Sequence, residues 1–335
     1  PRHTLPAPPP PGLAGNRAII SFPLENKKKG HQEVRAQDVT WGRPFVSGGF
    51  NQTSREVPWH VGVYSKTTKA YRQICGGTLI AKHAVLTAAH CFSADRNIPP
   101  ASNFAVAGGK SYRQWNDTDT SAQISDVLEI HIPPRYQGSE ANFQDDIALA
   151  ILEKPFTISE LVKPACLDFN PLFDGVELRE GQLGKVAGWG ITSANGSPSE
   201  MLQAATLPSI PIQKCIEQSP PSFRSSITGD KICAGYSNGT AVCRGDSGGG
   251  LVFSYIMQNV RRNYLRGIVS TSPTSNDKCN VYTWATFTHV IRHEDFIKSI
   301  VPDVEENCGE RNIDNPDESK FMSSPNNKTC LCPCI

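Results

Sequence analysis

The sequence predicts an all-β protein with one helix near its carboxyl end. Short apolar alternations, such as residues 60–64 and 147–152, recur through the middle of the chain and are separated by Gly, Pro, Asn and Ser. Many short strands bounded by turn residues are typical of a β-sandwich or a β-barrel. In residues 285–301 the apolar side chains instead recur near a helical period and Pro302 follows them, which predicts a terminal helix.

Both ends of the chain differ in composition from the body, residues 46–301. Residues 1–45 hold 8 of the 26 prolines, a basic cluster at 27–29 and no cysteine. Such a stretch cannot bury enough apolar surface to offset the entropy of ordering it, so we expect a linker or pro-segment. Residues 302–335 are acidic and polar and contain several cysteines, and we expect a separate tail there.

The composition disfavours two classes of partner. The chain has 335 residues, with 33 Lys and Arg against 32 Asp and Glu and a formal net charge of +1. This balance provides no broad attraction to phosphate backbones or anionic lipids, so we expect neither nucleic acid nor a membrane as a partner. No apolar run approaches the roughly 18 residues that a membrane span needs. Partners should therefore be recognised by shape.

The cysteine count indicates an oxidising compartment. The chain has 11 cysteines, and disulfides of this density are typical of secreted proteins. Because the sequence starts without Met or a signal-peptide pattern, we expect it to be the carboxyl-terminal portion of a longer secretory precursor. Five Asn-x-Ser/Thr sequons agree with a glycosylated surface, and their asparagines are Asn51, Asn116, Asn195, Asn238 and Asn327.

Three short motifs carry the candidate chemistry. They are LTAAHC around His90, DDIAL around Asp146 and GDSGG around Ser247. A serine hydroxyl is a poor nucleophile near neutral pH unless a neighbouring base accepts its proton and a third group orients that base. These three residues supply the hydroxyl, the base and the carboxylate together, which predicts catalysis by an activated serine.

With these motifs the chain resembles the chymotrypsin-fold, trypsin-like serine proteases of the S1 family over residues 46–301. The resemblance implies two antiparallel six-stranded β-barrels, roughly residues 46–160 and 161–284, then a helix at 285–301, with the active site between the barrels. Further matching segments are residues 58–59, 75–79, 187–190, 233–235 and 267–270.

The resemblance also assigns roles to the site residues. Ser247 is the nucleophile, His90 the general base and then acid, and Asp146 the carboxylate that orients and stabilises the imidazolium. The amides of Gly245 and Ser247 form the oxyanion hole, since glycine lets the backbone turn tightly there. Ser270 matches a position whose hydroxyl supports the buried aspartate. We expect no cofactor and no metal, including no calcium near Lys110.

Family disulfides map onto most of the cysteines: Cys75 with Cys91, Cys215 with Cys233, and Cys243 with Cys279. In multi-part members of the family a cysteine at the position of Cys166 tethers the protease to its pro-region. Because residues 1–45 contain no cysteine, we expect the partner of Cys166 in a segment upstream of the chain. The less favoured alternative is that the partner of Cys166 is one of the tail cysteines, which are Cys308, Cys330, Cys332 and Cys334.

Family zymogens are activated by a cut before an apolar residue. The new ammonium group then pairs with the aspartate that precedes the nucleophile, here Asp246. Val46 begins the segment VSGG at the expected distance before Trp59, so the bond cut would be Phe45–Val46. A buried ion pair adds little net stability but makes a good two-state switch.

The primary specificity pocket departs from that of trypsin. Where an aspartate would select Arg or Lys, this chain has Ala241, followed by Val242. A substrate cation would be buried there without a counter-charge, so we expect an apolar residue such as Phe, Leu or Met before the cut bond. Phe45 has that character, which predicts self-activation. The other substrate-binding residues that we expect are Phe143, Arg244, Ser270, Ser272 and Asn280.

Arg244 has two interpretations, because it either favours acidic residues near the cut bond or is simply a solvated side chain. At the level of the whole protein, the linker, Cys166, the activation site and Ala241 resemble the arthropod modular serine proteases. This implies a secreted haemolymph protease that initiates an immune cascade, with upstream recognition modules or an adaptor and a downstream zymogen as its protein substrate.

Two alternatives remain. One is a catalytically silent protease homologue that acts as a binding cofactor, which the intact triad disfavours. The other is a digestive chymotrypsin-like or elastase-like protease, which the linker, Cys166 and the sequons disfavour.

Overall fold

A computed structural model describes residues 50–51, 54–93, 97–117, 119, 121–191, 196–237, 241–257, 260–275, 278–280 and 282–308. The first strand, β1 (Phe50–Asn51), pairs with a strand of the second half of the body. No helix in the described ranges combines the length and the apolar character that crossing a membrane would require.

Six strands close into a first antiparallel barrel, in the order β2-β3-β4-β7-β6-β5. Its interior is filled by small and β-branched side chains such as Val61, Val85 and Ala148, all 0% exposed, and the β-branched valines favour strands. The strands are β2 (His60–Ser65), β3 (Arg72–Ala81), β4 (Ala84–Thr87), β5 (Phe104–Gly108), β6 (Gln123–His131) and β7 (Ala148–Leu152).

A second barrel follows and is closed by pairing of its first two strands. Its order is β8-β9-β10-β15-β12-β11 and every pairing is antiparallel, so the predicted fold of two six-stranded barrels is confirmed. The strands are β8 (Leu183–Gly188), β9 (Gln203–Ile210), β10 (Lys231–Ala234), β11 (Gly250–Met257), β12 (Val260–Thr271), a ribbon of β13 (Thr274–Ser275) with β14 (Lys278–Cys279), and β15 (Ala285–His289).

The barrels pack face to face through an apolar cluster that draws on both. Leu86 and Leu149 from the first barrel and Trp189 and Ile268 from the second are fully buried in it. Burial of such side chains contributes about 1.5–3 kcal/mol each, which makes the interface rigid enough to support residues on its rim.

The helices are short and lie around the barrels. They are α1 (Pro171–Glu177), α2 (Ile212–Gln218) and α3 (Glu294–Ile300). At the start of α1, Pro171 follows Asn170, whose side chain accepts a hydrogen bond from the amide of Leu172 at 2.9 Å. This is a typical helix cap.

The predicted terminal helix over residues 285–301 was wrong in its first half. Residues 285–289 form β15, paired with β10 and β12, a 3-10 turn covers Val290–His293, and only Glu294–Ile300 is α-helical. β15 has only five residues, Ala-Thr-Phe-Thr-His, and the first four are buried whether polar or apolar, so the spacing of apolar residues in so short a run cannot separate a strand from a helix. The second barrel therefore extends beyond residue 284.

The chain boundaries also differ from the expectation. β1 pairs with β9 of the second barrel although it precedes the first. The tail begins as part of the body, because Val304 and Cys308 are 1% and 8% exposed. The linker at 1–45 and the rest of the tail lie outside the described residues.

Two of the predicted disulfides are present, Cys75–Cys91 and Cys215–Cys233. Cys243 is also disulfide-bonded, while the side chain of Cys279 lies outside the described residues. The upstream partner expected for Cys166 was wrong: Cys166 is bonded to Cys308. The reason is that Cys166 lies beside Tyr264 of β12, and the chain after α3 returns to this same place.

Candidate active site

The three predicted catalytic residues come from the ends of strands on both barrels. His90 lies in a 3-10 turn, Ala89–Cys91, directly after β4, and Asp146 lies just before β7. Ser247 lies in the loop between β10 and β11. Because β4 and β7 are paired neighbours, the first two residues are close, and the inter-barrel cluster positions the third.

Asp146 holds His90 by two hydrogen bonds. Its Oδ2 lies 2.8 Å from the imidazole Nδ1, and its Oδ1 accepts from the His90 amide at 3.0 Å. The carboxylate side chain is fully buried, whereas that of His90 is 22% exposed. A carboxylate bonded to Nδ1 leaves Nε2 as the atom that can accept a proton.

The second barrel supports Asp146 from behind. The hydroxyl of Ser270 donates to Asp146 Oδ2 at 2.6 Å, the contact that the resemblance predicts. The hydroxyl of Thr288, on β15, donates to the Asp146 carbonyl at 2.8 Å. Sequence reasoning missed Thr288, because a contact between residues 142 positions apart leaves no local pattern.

The ionisation of the pair follows from these contacts. Burial lowers the pKa of His90, but the charge and the hydrogen bond of Asp146 outweigh that effect, so the pKa of His90 lies above its ordinary value. Burial acts to raise the pKa of Asp146, and the charge and hydrogen bond of His90 outweigh it, so this pKa lies below its ordinary value. Asp146 therefore remains an anion and stabilises the imidazolium.

The loop that carries Ser247 is fixed to the first barrel. The carbonyl of Ser247 accepts from the amide of Gly76 at 2.8 Å, and the carbonyl of Gly245 accepts from Gln73 Nε2 at 3.1 Å. Gly245 has a φ of +100°, a conformation that favours glycine. Within the described part of the chain, the amides of Gly245 and Ser247 donate to no protein acceptor. Both can therefore serve an oxyanion.

Asp246 occupies a closed site behind this loop. It is 3% exposed, and its carboxylate accepts from the amides of Gly190 at 2.8 Å and Cys243 at 3.0 Å. Among the described residues no side-chain cation lies within 4.0 Å of it. Burial raises the pKa of Asp246 to about 6 against the effect of the two amides. Phe45 and Val46 lie outside the described residues.

A cleft of about 220 Å³ joins His90 and Ser247. Four of the predicted substrate-binding residues line it, namely Phe143, Arg244, Ser270 and Ser272. Phe143 meets the His90 ring edge to face at 6.1 Å between ring centres. Arg244 is exposed, and among the described residues of the lining the only other charged or titratable group is His90.

Three predicted pocket residues do not line this cleft. Ala241 and Val242 are 4% and 1% exposed and lie behind it, where the Val242 carbonyl accepts from the Ser272 hydroxyl at 3.1 Å. Asn280 is not on the described lining, and its side chain instead accepts from the amide of Tyr282 at 3.1 Å. Sequence reasoning did not include Pro273 and Thr274, which do line the cleft.

Two groups of described side chains have the composition of metal ligands. One contains Cys75 and Cys91, but their disulfide removes both thiolates. The other consists of Asp145, Asp230 and His293, and there the ammonium of Lys231 already lies 3.5 Å from the Asp230 carboxylate. We assign neither group to a metal. Of the five sequons, Asn116 is exposed, while the side chains of the other asparagines lie outside the described residues.

The sequence matches the trypsin family over residues 46–297. It is 36% identical over 254 residues to clotting factor C of Tachypleus tridentatus, a match that covers 74% of this chain and 24% of that protein. It is 30% identical over 263 residues to the modular serine protease of Drosophila melanogaster, covering 76% and 40%. To melanization protease 1 of the same fly it is 32% identical over 279 residues, covering 76% and 65%.

The matches thus span 24% to 65% of the length of these relatives. The family match covers both barrels and the three residues His90, Asp146 and Ser247. The fold, the site geometry and the sequence agree, and the chain belongs to the trypsin family of serine proteases.

Proposed function

We propose that the chain is the protease portion of a secreted zymogen and that its active form is a serine endopeptidase with an apolar primary specificity. The observation that carries this proposal is the 2.8 Å contact between Asp146 and His90 in the cleft that Ser247 also lines. Peptide hydrolysis needs a hydroxyl nucleophile, a base and an orienting carboxylate in one place, and this cleft supplies them.

The chemistry follows from the ionisation of these groups. Neutral His90 accepts the Ser247 hydroxyl proton as Oγ attacks the scissile carbonyl, and Asp146 stabilises the imidazolium that results. The amides of Gly245 and Ser247 receive the negative charge that develops on the carbonyl oxygen. His90 then returns the proton to the leaving amine, and water repeats the sequence on the acyl-enzyme.

The apolar preference is supported by the charges around the cleft. No lining residue that the structure describes has a carboxylate, and the side chain of Ala241 behind the cleft is an uncharged methyl group. The guanidinium of Arg244 lies on the same lining and repels a second cation. A substrate Arg or Lys would therefore be buried without compensation, whereas a Leu or Phe would contribute about 2 kcal/mol of burial.

Activation by a cut at Phe45–Val46 is supported by Asp246. Its buried carboxylate has two amide donors and no side-chain counter-charge among the residues described. An ammonium group at Val46 would provide that counter-charge and would favour the ionised form of Asp246. Since Phe45 suits the proposed pocket, we include self-activation in the proposal.

The wider role rests on the relatives. Two of them are named for clotting and for melanization, and a third is named a modular serine protease. We propose an extracellular, glycosylated protease of an arthropod innate-immune cascade, with a downstream zymogen as substrate and upstream recognition modules or an adaptor as regulators. The disulfides agree with an oxidising compartment.

Peptide substrates test the pocket. Cleaved wild-type protein is offered matched peptides that end in Arg, Leu or Phe, and kcat/KM is compared. We expect Leu and Phe to exceed Arg by at least about tenfold, and Ala241→Asp to shift the ratio toward Arg. A wild-type preference for Arg would overturn the proposed specificity.

Precursor processing tests self-activation. The full chain and its Ser247→Ala variant are incubated side by side, and amino-terminal sequencing follows the appearance of Val46. We expect processing only in the wild type, with the variant cut when a trace of mature enzyme is added. Equal processing of both alone would contradict the proposal.

A serine-directed covalent inhibitor separates an enzyme from a silent homologue. The cleaved protein should be labelled at Ser247, and the His90→Ala variant should be labelled far more slowly. Absence of label on the wild type would favour the binding-cofactor alternative.

A further inference from the structure

A buried lysine lies behind the catalytic aspartate. Lys231, the first residue of β10, has a side chain that is 0% exposed. Burying an ammonium group is unfavourable by several kcal/mol unless charges and hydrogen bonds compensate for the lost water. Its presence here therefore requires an explanation from its contacts.

The Lys231 ammonium makes three polar contacts. It lies 2.7 Å from the carbonyl of Phe143, 2.9 Å from the hydroxyl oxygen of Thr288 and 3.5 Å from a carboxylate oxygen of Asp230. Phe143 belongs to the loop that leads into Asp146, and Thr288 is the residue that donates to the Asp146 carbonyl. Two of the three contacts thus lead to the catalytic aspartate.

The direction of these hydrogen bonds is fixed by chemistry. An ammonium group has only donors, so the Thr288 hydroxyl must accept from Lys231. Its own hydrogen is then committed to the Asp146 carbonyl, 2.8 Å away. A chain of two hydrogen bonds therefore runs from Lys231 through Thr288 to the backbone of Asp146, and such chains strengthen cooperatively.

The loop before Asp146 needs such support. Asn142, Phe143 and Asp145 have φ values of 52°, 59° and 55°, which lie in the left-handed region. For residues other than glycine this conformation is unfavourable by about 1–2 kcal/mol each. The Lys231 contact with the Phe143 carbonyl acts in the middle of this strained segment.

We propose that Lys231 is a positioning residue for catalysis, which together with Thr288 fixes the backbone on both sides of Asp146 and thereby the geometry of the Asp146–His90 pair. It touches neither substrate nor the reacting atoms. The inference rests on the serine-protease chemistry proposed above but not on the identity of the substrate.

Several charged groups surround this ammonium, and burial lowers the pKa of Lys231 against the opposing charges of Asp146, Asp230 and Asp145. His293, on the turn before α3, lies 3.9 Å from Asp145 and 3.7 Å from Asp230, and Arg135 lies 3.3 Å from Asp145. The charge of Lys231 acts to lower the pKa of Asp146 and also that of His90. The titratable and charged groups that face Lys231 and its partners are Asp145, Asp146, Asp230, His90, His293 and Arg135.

Two substitutions test the proposal on peptide hydrolysis. Lys231→Met keeps the length of the side chain and removes its charge and donors. We expect kcat to fall by about 10- to 100-fold while KM stays within about twofold, since positioning affects the transition state rather than substrate binding. Thr288→Val keeps the shape and the ammonium but breaks the chain, and we expect a loss of about 3- to 10-fold.

The double variant tests the chain itself. If Lys231 acts through Thr288, the two losses should not multiply, and Lys231→Met/Thr288→Val should be no slower than Lys231→Met alone. Lys214→Met is the matched control, because Lys214 forms an exposed ion pair with Glu180 and should leave kcat unchanged. Multiplicative losses, or an unchanged kcat in both single variants, would overturn the proposal.

A spectroscopic readout makes the test independent of substrate. The proton on His90 Nδ1, bonded to Asp146, is followed by NMR as the pH is varied in inhibitor-free enzyme. We expect Thr288→Val to broaden or shift this resonance, because the carboxylate loses its fixed orientation. An unchanged resonance would refute the positioning role. A preference for Arg in the peptide comparison would instead contradict only the proposed specificity of the pocket. If Lys231→Met fails to fold, Thr288→Val still decides the question.

Discussion

The geometry of the site depends on the hydrogen bonds that stabilise one buried anion, the carboxylate of Asp146. Its carboxylate bonds to the ring and amide of His90 and to the hydroxyl of Ser270, and its carbonyl bonds to Thr288. A buried carboxylate without such partners would become neutral, and a neutral acid would neither orient the imidazole nor stabilise its cation.

The pH dependence of activity follows from the same contacts. Only neutral His90 can accept the Ser247 proton, so activity is lost as the pH falls through the pKa of His90. Because Asp146 raises this pKa above the ordinary 6.5, the acid limb of kcat/KM should have its midpoint above pH 6.5. The measurement is kcat/KM between about pH 5 and 9.

Asp146→Asn serves as the comparison for this profile. The amide cannot stabilise an imidazolium and favours the wrong tautomer, so kcat should drop by about 10⁴-fold near neutral pH. A midpoint below pH 6.5 in the wild type, or a variant with near-normal kcat, would contradict the proposed ionisation.

At the residue scale, the sequence indicates the residues that would perform the chemistry more readily than the residues that hold them in position. The motifs around His90, Asp146 and Ser247 identify the site because each has a local signature. Lys231 and Thr288 have none, since their roles arise only when β10 and β15 pair beside the loop at 142–146. The spacing likewise does not reveal that the Asn280 side chain accepts from the amide of Tyr282, because loop conformation is not encoded in spacing.

Among the elements, α1 is attached to the second barrel through one buried arginine. Arg266 of β12 is 1% exposed, and its Nε donates to Glu177 at 2.6 Å. The same guanidinium donates to the carbonyl of Asp168 and lies 3.8 Å from Asp174. Asp174 is in turn 2.9 Å from His289 of β15, so the network links one helix to two strands.

Removing this arginine should therefore destabilise the fold. Arg266→Met leaves the Glu177 and Asp174 carboxylates buried with less compensation, and the free energy of unfolding should fall by about 3–5 kcal/mol. Denaturant unfolding measures it. Arg55→Met is the control, because its ion pair with Glu160 is 67% and 68% exposed and should contribute little. Equal, small effects of both changes would show that the network is not structural.

The incorrect prediction of a helix at residues 285–289 is an error in assigning a secondary-structure element. β15 reads as Ala-Thr-Phe-Thr-His, and its residues are buried because β10 and β12 cover it on both sides. The two threonines favour a strand, but neighbours that the sequence does not reveal decide the outcome. The closed barrels themselves were predictable through the family resemblance rather than from apolar alternation, which indicates only β-structure.

For the whole molecule, the Cys166–Cys308 bond connects the start of the second barrel to the chain after α3. The two cysteines are 142 residues apart in sequence, a separation for which loop entropy alone gives a stabilisation of about 5 kcal/mol. Other disulfides inside this loop shorten it, so about 3–5 kcal/mol is the expected range.

Replacing both cysteines tests this contribution. Cys166→Ser/Cys308→Ser should lower the free energy of unfolding by that amount and leave kcat within about twofold, since neither residue lines the catalytic cleft. Denaturant unfolding without reductant and peptide hydrolysis provide the two readouts. A large loss of kcat with unchanged stability would be the opposite of this expectation.

The same bond bears on where the mature protease would act. With Cys166 bonded to Cys308 and no cysteine in residues 1–45, hydrolysis before Val46 would remove the covalent connection between the catalytic body and that segment. The catalytic body would then diffuse independently of that segment.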